Sequence, residues 1–340
     1  MKSRWSSIRP MMIAFGIALA FGAMLMLLSG SSPLQAYGEL VSGAFGPTGW
    51  TVTLTTTIPV VCCALTVAVP LRAGLVNLGG EGQLVGGGMA ALLVGTVFPD
   101  LPAPLSLIFA VVAAAVVGGV IGFIPAIMEN KLGVPLLISS LLLSYPIIAI
   151  VSFLVRFVLL DTGTGLPQTK ALPEAFHMPT FAKISGALFI VIAIIVVVVL
   201  FDRATPSGFE IRLTGLNRNF TAYSGVAVDR ITLGVMAGGG AIAGVAGALL
   251  VTAFPFRFVD GALIAPGFVW TGLLAAMLAR ANPLGAVVAA IFFAALQVGG
   301  TAMERETFVP RELSSILQAA IIIVLASLLA LNSRKKQKVS

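Results

Sequence analysis

Long apolar runs dominate this chain and restrict its possible folds more than any other feature. The stretch 184–201, for example, is apolar apart from small polar breaks. It approaches the roughly 20 residues that a helix needs to cross a bilayer. Only 10% of the residues are charged, whereas about a quarter are charged in a soluble domain. Membrane barrel strands would alternate in polarity over about ten residues, a pattern absent from this sequence. The sequence therefore predicts an all-α, polytopic integral membrane protein.

The apolar runs are separated by polar, glycine-rich and proline-rich segments, which allows the spans to be placed. We predict about ten transmembrane helices in a single membrane-embedded domain over 1–340. The eighth span is short, so a pair of re-entrant segments and a total of eight or nine spans are the alternatives. In chain order, the predicted spans are 11–29, 50–71, 82–98, 104–127, 134–158, 184–201, 231–253, 267–279, 284–300 and 313–331.

The net charge of the chain is +7, and the distribution of its cations predicts an orientation. With the N-terminus placed inside, most Lys and Arg residues fall on the cytoplasmic side, in agreement with the positive-inside rule. The basic tail 334–338 then lies beside anionic lipid, so we expect a lipid bilayer and no nucleic acid as its partner. Both termini are predicted to be cytoplasmic and loop 161–183 external. The cations left outside are Arg156, Lys170, Lys183, Arg257, Arg305 and Arg311.

Several glycine pairs are spaced by four residues within the predicted spans. Such pairs let helix backbones approach closely in a bilayer, where lipid removes the hydrophobic drive for association. They predict tight helix packing and indicate nothing about a transported solute. The pairs are Gly82 with Gly86, Gly118 with Gly122, Gly234 with Gly238 and Gly240 with Gly244.

The segment 71–84, between the second and third spans, combines polar side chains with glycines. Asn77, Glu81 and Gln83 stand there between two apolar runs. Interrupted helices often mark the solute pathway of transporters, which makes these three residues candidates for the substrate path. The alternative is a cytoplasmic turn in which Asn77 caps the third span and Glu81 lies in its first turn. The residues by themselves leave both interpretations open.

The inner loop 202–230 carries charged and large apolar side chains together. After Pro206 and Ser207, residues 209–223 are predicted to form one short amphipathic helix along the membrane face. The alternative interpretation is an ordinary charged surface loop. The apolar residues on one side of the predicted helix are Phe209, Leu213, Leu216 and Phe220.

The sequence offers little material for catalysis or metal binding. His177 is the only histidine, and we interpret it as solvated in loop 161–183, because no second type of metal ligand clusters beside it. The Gly-x-x-x-x-Gly-Lys-Ser/Thr phosphate loop does not occur, so ATP binding by such a loop is not expected. We predict no catalytic residue, no metal and no cofactor.

The run 72–84 resembles the signature of permease subunits in nucleoside-type ABC importers, a branch of the simple-sugar and branched-chain amino-acid permeases. Segment 139–150 departs from the pattern, because it lacks the acidic or asparagine residues that these permeases often carry there. This departure bears on the solute more than on the class. The resemblance covers most of 50–330, and the further segments that agree in order and spacing are 208–225, 241–248 and 282–285.

The resemblance implies that the chain is the transmembrane permease of an ATP-binding cassette importer for nucleosides or related small polar solutes, sugars included. A separate ATPase would act on loop 202–230, and an extracytoplasmic binding protein would deliver the solute. A sister permease would form a heterodimer with this chain, with a homodimer as the alternative. The implied location is the inner membrane of a bacterial cell. The residues implied to couple to the ATPase are Gly208, Glu210, Arg212, Gly215, Asn217 and Arg218.

The competing function is a stand-alone secondary transporter or channel for a small polar solute. Ion coupling usually requires ionisable groups near the membrane midplane, and Glu81 is the candidate that the sequence offers. An intramembrane enzyme is disfavoured by the missing catalytic motifs.

Overall fold

The computed structural model describes residues 2–28, 30–181, 184–307, 309–313, 315–316, 319–320 and 323–324. Lys183 and the basic tail 334–338 lie outside the described residues, as does most of the predicted last span. Two compact units are present, Thr57–Ala290 and a second unit formed by the chain on either side of it.

The fold is almost entirely helical, which confirms the predicted class. A five-residue π-helical turn, Leu154–Val158, extends α6, and a two-stranded hairpin (β1, Thr180–Phe181; β2, Ile184–Ser185) precedes α7. The helices are α1 (Lys2–Leu28), α2 (Pro33–Phe45), α3 (Gly49–Arg72), α4 (Gly80–Val97), α5 (Leu105–Leu132), α6 (Leu136–Phe153), α7 (Ala187–Ala204), α8 (Pro206–Leu216), α9 (Arg218–Tyr223), α10 (Val228–Val251), α11 (Phe268–Leu278) and α12 (Pro283–Thr307).

Within the described residues, six helices are long and apolar enough to cross a membrane, namely α3, α5, α6 extended to Val158, α7, α10 and α12. A seventh span results if α1 and α2 count as one span bent by 117° between Gly16–Leu28 and Pro33–Phe45. The structure therefore confirms a polytopic membrane protein, and the total of about ten spans stays a prediction. The predicted third span corresponds to α4, and the short eighth one corresponds to the eleven residues of α11.

The core of the unit Thr57–Ala290 is formed by α10 packed against α4 and α5, with close backbone contacts at glycine positions. A Cβ atom on Gly118 or Gly122 would overlap the backbone of α10, and one on Gly247 would overlap the carbonyl of Leu84. Three of the four glycine pairs predicted to pack do so. The pair Gly234 and Gly238 differs, because a Cβ atom added at either position meets nothing within 4 Å.

Residues 202–230 do not form the single helix predicted from the sequence. Asn217 adopts an extended conformation (φ −158°, ψ 101°) and separates α8 from α9. Its Oδ1 accepts a hydrogen bond from the backbone N–H of Phe220 at 3.0 Å, so it caps α9, and Thr205 Oγ1 caps α8 by accepting from Gly208 N at 3.0 Å. Asparagine and threonine side chains favour such caps over helix interiors, which is why the helix breaks at Asn217.

The α8–α9 segment contacts the end of α3, and we call this side of the unit the α8–α9 end. At the opposite end, loop 161–183 pairs with the loop that follows α10. Backbone hydrogen bonds join Thr169 to Phe258 at 2.9 Å and Met178 to Thr252 at 2.8 Å. His177 is part-buried and not simply solvated, since its ring stacks on Phe256 at 3.8 Å and its Nε2 lies 2.9 Å from the Leu172 carbonyl.

The second unit is held by close contacts of α2 with α12. The backbone of Leu40 leaves no room for a Cβ atom on Gly299, and Ala302 leaves none on Gly43. Tyr37 also donates a hydrogen bond from its hydroxyl to the Leu19 carbonyl at 2.7 Å, which ties α2 to α1.

Candidate functional site

Two of the three predicted path residues form a fully buried amide pair. Asn77 Nδ2 donates to Gln83 Oε1 at 2.9 Å, and Gln83 Nε2 donates back to Asn77 Oδ1 at 3.1 Å. The same Asn77 oxygen accepts from the backbone N–H of Gly79 at 3.0 Å. Both side chains are 0% exposed. This arrangement satisfies buried polar groups that would otherwise destabilise the fold, and it fixes where α4 begins.

Serines of α6 support the same turn from the other side. Ser140 Oγ accepts from Leu78 N at 3.2 Å, and Ser144 Oγ accepts from Gly82 N at 3.3 Å. Ser144 follows the first residue of α6, Leu136, by two turns of helix, or about 12 Å at the rise of an α-helix. The first turn of α4 therefore packs along the N-terminal part of the candidate span Leu136–Val158, about one to two turns of helix in from its start.

The third path candidate, Glu81, points away from the buried amides and meets a residue that the sequence analysis did not identify. Trp270, in the first turn of α11, donates from Nε1 to Glu81 Oε1 at 2.9 Å. The indole remains 47% exposed. The two residues thus form a polar and aromatic pair where the starts of α4 and α11 meet, beside Leu78 and Val269.

Asp202 organises the α8–α9 end of the unit. Its two carboxylate oxygens accept from Arg72 Nε at 3.0 Å and Arg72 Nη2 at 3.2 Å, and Arg212 Nη1 lies 3.5 Å from Oδ1. The Asp202 side chain is 9% exposed, and the two arginine side chains are 27% and 29% exposed. A single carboxylate therefore holds the end of α3 and the middle of α8 to the end of α7.

Other predicted coupling residues also hold this segment in place. A Cβ atom on Gly208 would overlap the Phe201 carbonyl, and one on Gly215 would overlap the Arg72 carbonyl. Arg218 in α9 pairs with Glu129 of α5 at 3.1 Å and lies 3.9 Å from Asp229 of α10. Together with the cap at Asn217, these contacts hold α8 and α9 against the rest of the unit.

The outward side of α8 and α9 is apolar and exposed. Four large side chains project from it, and Glu210, the remaining coupling candidate, lies on the part of α8 that faces α10. These exposed side chains are Phe209 (57%), Leu216 (84%), Phe220 (58%) and Tyr223 (92%).

Sequence reasoning located the polar turn and the segment 202–230 but missed the partners of both. Trp270 lies 189 residues from Glu81, and a lone tryptophan in an apolar run gives no signal of such a contact. Asp202 lies at the start of the predicted inner loop, where a charged residue is ordinary. Arg72 precedes Asp202 by 130 residues in the sequence, and only folding brings the two side chains into contact.

The described helices, with six or seven candidate membrane spans and a buried polar turn before α4, are those of a polytopic membrane protein. The chain belongs to the branched-chain amino acid transport system permease component family, whose sequence profile matches residues 51–326. This match confirms the family resemblance and identifies the chain as a transport subunit.

Three relatives span nearly the whole chain. The guanosine ABC transporter permease protein NupP of Bacillus subtilis (strain 168) is 33% identical, over 96% of this chain and 95% of its own length. The nucleoside ABC transporter permease protein NupB of Lactococcus lactis subsp. cremoris (strain MG1363) is 30% identical, over 92% and 88%. The glucose ABC transporter permease protein TsgB13 of Haloferax volcanii is 32% identical, over 91% and 84%.

Proposed function

We propose that this chain is the membrane subunit of an ATP-driven importer for nucleosides, with sugars as the alternative solute class. The observation that carries the proposal is the similarity along nearly the full chain to permeases named for guanosine, nucleosides and glucose. An ATPase would supply the energy, a solute-binding protein would deliver the solute, and a second permease would complete the path. The α8–α9 end would face the cytoplasm and loop 161–183 the outside of a bacterial inner membrane.

We infer a division of roles among the path candidates. The buried pair Asn77 and Gln83 positions the first turn of α4, while Glu81 and Trp270 are the groups that meet the solute. A half-exposed indole offers a flat apolar face to a nucleobase or sugar ring. A carboxylate accepts hydrogen bonds from ribose or sugar hydroxyls and from base N–H groups. Glu81 Oε1 is held by Trp270, so Oε2 is the oxygen available to a solute.

The proposed ATPase contact is the exposed apolar side of α8 and α9. Predicted coupling residues such as Arg212 and Arg218 are engaged within the chain, so they would transmit motion, whereas Leu216 and Tyr223 would make the contact. Exposed apolar clusters of this kind mark protein interaction sites. Glu210 has no ion pair among the described residues and lies on the other side of α8, facing α10.

The decisive experiment is reconstitution of this chain with its ATPase, second permease and binding protein in proteoliposomes. Uptake of radiolabelled guanosine should require ATP, and an excess of unlabelled glucose tests the alternative solute class. Replacing Glu81 by Gln, or Trp270 by Ala, should lower uptake about tenfold if one charge-assisted or stacking contact is lost. Uptake by this chain alone, driven by an ion gradient and indifferent to ATP, would instead establish a secondary transporter.

A separate variant tests the coupling surface. Leu216→Asp places a charge at the proposed apolar contact and should reduce co-purification of the ATPase without affecting assembly of the two permeases. Leu200→Asn, at an exposed position of α7 and outside α8 and α9, serves as the control. Equal ATPase recovery with both variants would assign the contact to another part of the chain.

A further inference from the structure

A deep groove separates α7 from α10 and reaches the α8–α9 end of the unit. Its volume is about 1060 Å³, at the upper limit of the roughly 300–1,000 Å³ typical of small-molecule sites. The walls are aliphatic, with Ile194 and Val198 on α7 facing Ile231 and Ile242 on α10. Little of α7 is covered by the rest of the chain, since only 17% of its candidate span is buried, compared with 67% for α10.

The floor of the groove contains the one predicted glycine pair that does not pack against a helix. Gly234 and Gly238 line the groove, and a Cβ atom at either position has open space around it. On the other side of α10, Gly240 and Gly244 contact α5 backbone. Glycines leave room along the groove, so an occupant can lie directly against the α10 backbone.

The mouth of the groove at the α8–α9 end is polar, in contrast to its walls. Arg230, in the first turn of α10, and Glu210, in α8, both line it, together with Ser207 and Ser224. In the part of the chain that the structure describes, neither charged side chain has an ion-pair partner. The mouth therefore presents one cation and one anion that are separate from each other and available to an external group.

We propose that this groove binds a glycerophospholipid of the leaflet that contacts the α8–α9 end. The lining of α10 from Arg230 to Ile242 extends about 18 Å at 1.5 Å per residue, close to half of the roughly 30 Å hydrocarbon core of a bilayer. One acyl chain would lie along Gly234 and Gly238, and Arg230 would bind the phosphate with a charge-assisted hydrogen bond. Glu210 is placed to accept an ammonium group, which favours phosphatidylethanolamine over phosphatidylglycerol.

The experiment uses the purified full-length chain in detergent and a phosphatidylethanolamine with a photoactivatable diazirine near the end of one acyl chain. After irradiation, mass spectrometry maps the labelled peptides. The expected result is labelling concentrated on the facing parts of α7 and α10, at 190–201 and 231–242. Unlabelled phosphatidylethanolamine should compete, whereas inorganic phosphate should not, which distinguishes a lipid from a free anion.

Matched variants test the two parts of the site. Gly234→Leu with Gly238→Leu fills the floor and should lower groove labelling about tenfold. Arg230→Gln should weaken lipid competition about tenfold through loss of a charge-assisted contact, whereas Arg203→Gln, an exposed cation outside the groove, should leave it unchanged. Glu210→Gln should remove the preference for phosphatidylethanolamine over phosphatidylglycerol. Size-exclusion profiles and thermal melting verify that each variant is folded, and Arg230→Gln removes the charge while keeping a polar side chain at the mouth of the groove.

Three results would overturn the proposal. The first is labelling spread evenly over the lipid-facing helices of the wild-type chain. The second is labelling that persists in the filled variant. The third combines two observations: the wild-type groove carries no lipid label, and Gly234→Leu prevents the permease chains from pairing. That result would assign the groove to a helix of the second permease.

Discussion

Asp202 shows how one residue determines the geometry of the α8–α9 end. The carboxylate is nearly buried and contacts both Arg72 and Arg212, so its removal leaves two cations close together without an anion. Losing one partner of a fully buried ion pair costs 3–5 kcal/mol. The two arginine side chains are 27% and 29% exposed, so water partly screens their charges. We therefore expect Asp202→Asn to lower the free energy of unfolding by about 1–3 kcal/mol.

Thermal unfolding of the purified permease measures this loss, and Asp229→Asn is the matched control. Asp229 is 74% exposed and lies 3.9 Å from its arginine, so its replacement should leave the unfolding temperature nearly unchanged. In double-mutant cycles, Arg72→Gln should couple to Asp202→Asn more strongly than Arg212→Gln does, since Arg72 makes two hydrogen bonds to the carboxylate. Equal, near-zero coupling for both arginines would show that the cluster does not stabilise the fold.

The amide pair of Asn77 and Gln83 leads to a second prediction at the residue scale. Gln83→Ala leaves one buried Asn77 donor unpaired, whereas Asn77→Ala also removes the acceptor for Gly79 N. An unsatisfied buried polar group costs about 1–3 kcal/mol, so both variants should be less stable than wild type, with Asn77→Ala the more affected. Chemical denaturation in detergent gives the comparison. The reverse order would show that the Gly79 hydrogen bond contributes little to the start of α4.

At the scale of elements, the two sides of α10 differ in their tolerance of a methyl group. Gly244→Ala places a Cβ atom against the Ala114 carbonyl of α5, and overpacking of this kind typically costs about 1–3 kcal/mol. Gly234→Ala enters open space and replaces glycine by the best helix former, so its stability should equal or exceed that of wild type by up to about 1 kcal/mol. Melting temperatures of the two variants provide the test. Equal destabilisation would mean that Gly234 is also packed against a neighbour.

Most of the helices were predictable from the sequence, whereas α2 (Pro33–Phe45), which falls between the first two predicted spans, and the break at Asn217 were not. Long apolar runs specify helices such as α5 and α7 by composition alone. The helix breaks at Asn217 because its side chain caps α9 and its backbone does not continue α8. The apolar spacing of Phe209, Leu216 and Phe220 fits one continuous helix and therefore gives no sign of this break. The contacts of Glu81 with Trp270 and of Asp202 with Arg72 depend on tertiary packing, which a single sequence does not display.

At the scale of the whole molecule, the sequence predicted the class and the family correctly, since both follow from apolar runs and one specific motif. The number of membrane spans is harder to predict from the sequence. The segment around α4 is glycine-rich and largely buried, and α11 has only eleven residues. The glycines and polar residues of α4 are covered by neighbouring helices, so α4 does not need the apolarity of a lipid-exposed span, and α11 is too short to cross a bilayer as a straight helix. Hydropathy therefore identifies long apolar helices, both exposed ones such as α7 (17% buried) and buried ones such as α3 (72% buried), better than it identifies short or glycine-rich helices.

Orientation is the whole-molecule property that the positive-inside rule predicts and labelling can test. The two ends of the unit offer accessible positions: Thr162 is exposed in the loop 161–183, and Tyr223 is 92% exposed at the end of α9. Cys62 and Cys63 are fully buried, so an added cysteine is the site expected to react. In intact cells, a membrane-impermeant maleimide should label Thr162→Cys and should reach Tyr223→Cys only after permeabilisation.

The unsubstituted chain is the control, because it reports background labelling from Cys62 and Cys63. Labelling of Tyr223→Cys but not of Thr162→Cys in intact cells would reverse the orientation, and it would remove α8 and α9 from reach of a cytoplasmic ATPase.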